Sequence, residues 1–175
     1  MGVALGHMVG ALTVGKKKYA DVQELAIESQ KKGNELKAQF VDVIDRDTEA
    51  FNAVSAVFAM PKDTDEEKAA RKAAMQEALK GCTKTPFEMM ELACQALELT
   101  RSVVGKLNAS AASDLGCAAL SLKAAIQGAW LNVLINIGGI QDQAFADEYR
   151  QKGQALLDKA LPLADAIYQE VLESL

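Results

Sequence analysis

Only one of the many carboxylates in this chain stands where a helical pattern asks for a leucine. Phe40, Ile44, Phe51, Val54 and Phe58 recur at the spacing of a single helix face. The step from Ile44 to Phe51 skips a place, and Asp47 fills it. Asp42, Asp45 and Glu49 fall on a separate face, expected to be solvated. The apolar stripe is expected to be buried, and a carboxylate there is costly unless it is paired or neutralised. Its proton is then under local control, because burial holds it and a nearby cation releases it. Two roles fit Asp47 on position alone, the first being the commoner. It is a structural acid held by a lysine, an arginine or a backbone amide, or it is a general acid/base in a cleft between helices.

Two further groups could bind rather than react. Lys16, Lys17 and Lys18 follow Gly15, where a preceding helix ends. Cations suit a helix C-terminus, and they equally suit an anionic tail on a ligand. Asn132 and Asn136 lie one turn apart in the least charged stretch of the chain. Buried amides need hydrogen-bond partners, so they form either a core polar pair or contacts to a ligand.

The elements that must position these groups are helices. The chain has 175 residues, enough for one domain (1–175) with a sizeable core. Half of the residues are hydrophobic but only 5% are aromatic, so the apolar mass is Ala, Leu and Val. A net charge of −5 argues against a nucleic-acid partner. Cys82, Cys94 and Cys117 have no metal-ligand spacing and the chain has one histidine, so no metal is expected. The three thiols read as small buried hydrophobes in a reducing, cytoplasmic setting.

Six helices are expected. Met1 to Val14 carries Gly2, Gly6 and Gly10 on one face, which implies another backbone close against it. Asp21 to about Met60 reads as one long helix, with Asp21 and Glu24 as a capping pair and Gly33 as a place to bend. Thr64 with Glu67 forms a capping box for a third. Thr85-Pro86-Phe87-Glu88 reads as the start of a fourth, with Thr85 as the cap. Ser113 to Gly138 is a central apolar helix, too interrupted by polar residues for a membrane crossing. Asp142 to Leu175 is a sixth, which Pro162 should kink or break.

Five segments in order resemble a known family. They are Leu12-Thr13-Val14-Gly15-Lys16-Lys17-Lys18-Tyr19, Ile44-Asp45-Arg46-Asp47-Thr48-Glu49-Ala50-Phe51, Met60-Pro61-Lys62-Asp63-Thr64-Asp65-Glu66-Glu67-Lys68, Ser113-Asp114-Leu115-Gly116 and Asn132-Val133-Leu134-Ile135-Asn136-Ile137. Their order and spacing resemble the cyclodeaminase/cyclohydrolase family, whose domain forms the C-terminal half of formimidoyltransferase-cyclodeaminase. The resemblance implies an all-α homodimer with a tetrahydrofolate derivative bound between helices as substrate, and no further cofactor. It implies cyclodeamination of 5-formimidoyltetrahydrofolate to 5,10-methenyltetrahydrofolate and ammonia, a step of histidine catabolism, or hydrolysis of the methenyl form. It places the family's catalytic aspartate on Asp47 and makes Asp114, Asn132 and Asn136 candidates for holding the pterin or orienting the carboxylate. Lys16, Lys17 and Lys18 become candidates for the folate glutamates. The family's Gly-rich segment before the first helix is not seen ahead of Met1-Gly2-Val3. A non-catalytic helical dimer of the same family is therefore the rival expectation.

Overall fold

The computed structural model describes residues 1–175 and contains five α-helices and no strand. They are α1 (Gly2–Thr13), α2 (Gln23–Phe58), α3 (Asp65–Val103), α4 (Ala112–Ile137) and α5 (Gln143–Ser174). Short 3-10 turns, Lys17–Val22 and Ala109–Ala111, precede α2 and α4. The predicted ends hold at several places. Thr64 and Glu67 form the reciprocal capping box of α3, and Asp142 accepts from the Phe145 amide at the start of α5. Gly15 and Gly105 take positive φ after α1 and α3. Asp21 does not cap; α2 starts later, at Gln23, after the 3-10 turn.

The expected six helices become five because α3 runs for 39 residues straight through Pro86. Proline has no amide to offer the carbonyl four residues back, here that of Cys82. Asn136 of α4 donates its Nδ2 to that same Cys82 oxygen at 2.7 Å. The helix continues because a side chain from another element replaces the missing hydrogen bond. Pro162 does not interrupt α5 either. Nor does Gly33 break α2: it sits under His7 of α1, whose Cβ lies 3.2 Å from where a Gly33 side chain would begin. His7 also places its Nδ1 3.0 Å from the Gln30 carbonyl oxygen.

α2 and α3 form a long antiparallel hairpin. α1 lies in the trough between α2 and α4, and α5 closes the far side against α3 and α4. The small face of α1 makes this possible. A Cβ on Gly2 would sit 2.8 Å from the Ala118 carbonyl oxygen, and one on Gly10 would sit 2.9 Å from Ser29 Oγ. Met90, Leu97, Ile126 and Ile167 are fully buried where α3, α4 and α5 meet, each stabilising by about 1.5–3 kcal/mol. α4 is long and apolar enough to cross a bilayer, but its inward face packs on α1, α3 and α5.

Candidate active site

Asp47 lies in the second half of α2, beyond the reach of α1. The stripe that carries it is not buried as expected. Ile44, Phe51 and Phe58 are all more than 60% exposed, and only Phe40 packs against the core. The cause is coverage. α1 touches α2 at Ala26, Ser29, Gln30 and Gly33, and past Phe40 the helix rests on α3 alone, through Val43 and Val57. The trough between α2 and α4 therefore continues beyond α1 as an open groove, with α3 as its floor.

The groove brings together a small set of groups. Thr85 Oγ1 of α3 donates to Asp47 Oδ1 at 2.7 Å, and the threonine itself is buried. Thr85 is thus not a helix cap; inside a continuous α3 its hydroxyl is free to reach α2. Asp47 has no cation within ion-pair distance, because neighbouring Arg46 is engaged elsewhere. Arg46 forms a bidentate pair with Glu88 (2.6 and 2.7 Å) and donates a further bond to Asp42 at 2.7 Å. Glu88 therefore completes no capping box; it ties α3 to α2 one turn from Thr85. Those carboxylates keep the guanidinium firmly protonated. Cys82 sits beside the pair. Burial, and then the Asp47 charge, push its thiol above the ordinary value, so it stays protonated at neutral pH.

The remaining candidates divide between two ends of the bundle. Asn136 belongs to the Asp47 end but spends its amide on Cys82 oxygen, the structural role. Asn132 is exposed and donates to Gly128 of its own helix at 3.1 Å. Asp114 is half-buried in the first turn of α4, about 33 Å along that helix from Asn136. Lys16, Lys17 and Lys18 are exposed near the same far end, where Tyr19 accepts from the Ala109 amide. From Gln23 to Asp47 the rise of α2 alone is about 36 Å. Within one chain, then, neither Asp114 nor the lysine run shares a site with Asp47. Cys117 also departs from expectation: it is exposed on the outer face of α4, while Cys82 and Cys94 are buried.

Thr85 and the Arg46–Glu88 clamp were missed by sequence reasoning. The Thr-Pro-x-Glu pattern imitates a helix start, and only the distant Asn136 donor shows that it is not one.

The chain has relatives. Residues 1–155 match the formiminotransferase-cyclodeaminase family. A methenyltetrahydrofolate cyclohydrolase of Methylorubrum extorquens is 41% identical over 171 residues, covering 98% of this chain and 82% of that protein. The formimidoyltransferase-cyclodeaminase of Sus scrofa is 32% identical over 160 residues, which span 91% of this chain but only 30% of that longer protein. Among solved structures, the formiminotetrahydrofolate cyclodeaminase of Thermotoga maritima superposes with a TM-score of 0.79 at 27% identity, covering all of this chain and 81% of its own. This chain belongs to the formiminotransferase-cyclodeaminase family.

Proposed function

We propose that the protein is a folate one-carbon enzyme acting on the carbon carried between N5 and N10 of tetrahydrofolate, with Asp47 moving the proton. The observation that carries this is the Asp47 carboxylate itself, oriented through one oxygen by Thr85 and facing an open groove. Its second oxygen accepts no hydrogen bond and is left for a substrate proton.

The same carboxylate serves two related reactions. In cyclohydrolysis, water adds to the methenyl carbon and Asp47 takes one of its protons. The carbon–N5 bond then breaks as the remaining hydroxyl proton is lost and N5 gains one, leaving the formyl group on N10. In cyclodeamination, N10 attacks the protonated formimidoyl carbon, Asp47 carries the N10 proton to the departing nitrogen, and ammonia leaves. The 41% identical cyclohydrolase favours the first reaction for this chain.

The active form is a homodimer. Leu131 and Ile135 are 67% and 74% exposed, and with Leu120, Ala124 and Gly128 they run along the outward face of α4. So large an apolar face on a metabolic enzyme fits a second copy. A two-fold partner laid antiparallel across it brings that copy's lysine-run and Asp114 end towards Asp47, as the division of candidates between two ends requires. Three free thiols fit a reducing, cytoplasmic setting. Hydrolysis of 5,10-methenyltetrahydrofolate, followed by its loss of absorbance beside ammonia release from 5-formimidoyltetrahydrofolate, tests the assignment. Turnover of neither compound by the folded dimer overturns it.

A further inference from the structure

Over its second half, α2 has little apolar contact to hold it in register on α3. No residue between Val43 and Val57 is fully buried, a stretch whose rise is about 21 Å. The side-chain hydrogen bonds that cross to α3 there come from two neighbours in the chain. Asp47 accepts from Thr85, and Arg46 donates two parallel bonds to Glu88.

These two neighbours straddle the line of contact. At about 100° per residue, Arg46 lies roughly 60° to one side of Val43 around the helix and Asp47 roughly 40° to the other. Glu88 follows Thr85 by three residues, so both partners sit within one turn of α3. One bond alone would leave α2 free to roll about its axis. Two bonds on opposite sides of the contact line oppose rolling in either direction.

The Arg46 side chain is also steadied from its own helix. Its Nε donates to Asp42 Oδ2 at 2.7 Å, one turn earlier, while its terminal nitrogens meet the Glu88 oxygens at 2.6 and 2.7 Å. A planar fork held in this way defines direction as well as distance. Stability does not explain the arrangement. The Arg46 and Glu88 side chains are 40% and 39% exposed, and ion pairs so open to water stabilise a fold very little.

We propose that the Arg46–Glu88 pair is a positioning device for catalysis, holding α2 at the rotation where Asp47 meets the Thr85 hydroxyl. The inference rests on the folate function proposed above. Neither residue acts on the substrate. Their influence reaches the reaction through the Thr85–Asp47 hydrogen bond, which orients the carboxylate that moves the proton.

A double-mutant cycle on kcat tests this, using whichever of 5,10-methenyl- and 5-formimidoyltetrahydrofolate the wild-type protein turns over. Glu88→Gln keeps the size of the side chain but breaks the two-oxygen pairing. Alone it lowers kcat about five-fold, with KM and melting temperature close to wild type. In a Thr85→Val background, where the orienting bond is already gone, it lowers kcat no further. Arg46→Gln, which removes the same pair from the other helix, gives both results again. The proposal is overturned if either substitution leaves the wild-type kcat unchanged, or if the losses simply multiply in the Thr85→Val background. Unfolding of both variants also overturns it, by making the pair a support of the fold. Wild-type turnover is read first: turnover of neither folate overturns the folate reading itself, whereas independent losses overturn the positioning role alone.

Discussion

The two halves of α2 present the same face to different neighbours. In the first half that face is small, with Ala26, Ser29 and Gly33, and α1 lies directly against it. In the second half it is large, with Ile44, Phe51 and Phe58 around Asp47, and no helix of the chain covers it. Small residues mark where one backbone must approach another. Bulky exposed ones mark a surface left for a partner from outside the chain, the place that the proposed function gives to the substrate. The proposed chemistry belongs to the half that the fold leaves open.

If that contrast is sound, substitutions in the two halves should separate activity from stability. The largest effect is expected in the open half: Asp47→Asn should lower kcat by about 10²–10⁴-fold with little change in melting temperature. A folded Asp47→Asn protein with full turnover would remove the proton-transfer role. In the covered half, Gly10→Val should cost about 1–3 kcal/mol of stability through its clash with Ser29 and Ala26, measured by denaturant unfolding. The activity of the molecules that remain folded should be nearly unchanged. Thr85→Val should lower kcat about ten-fold at constant KM, and Thr85→Ser should restore it. Equal losses in both variants would make the hydroxyl merely structural.

A smaller effect tests the other side of α3, where Cys94 meets Leu156 of α5. Burial pushes the Cys94 thiol up to about 11. The folded state therefore holds this proton where the unfolded chain, with its thiol nearer 9, releases it. Stability should fall as pH rises from about 9 to 11, and Cys94→Ala should flatten that part of the melting curve against pH.

How much of this was legible from the residues depends on range. The Thr64–Glu67 box is a local pattern with a local cause, and it holds; the glycine face of α1 holds at Gly2 and Gly10, where another backbone lies close, but not at Gly6. Asp47 was singled out by one missing place in a periodicity. That periodicity placed these residues on one face of α2 but did not give its exposure, because exposure depends on where α1 lies. The Thr85 contact and the unbroken α3 depend on residues far apart in the chain, and the local Thr-Pro signal pointed the other way.

The Asn136 bond to Cys82 oxygen has a consequence for the order in which the molecule forms. Taken alone, the segment that becomes α3 would tend to stop near Pro86, since nothing local satisfies the Cys82 carbonyl. Its two parts join into one rod once α4 arrives with its amide, a contact spanning 54 residues of chain. Thr85 lies beside that junction, so the hydroxyl that orients Asp47 stands on a stretch of helix that an amide from α4 helps to hold together.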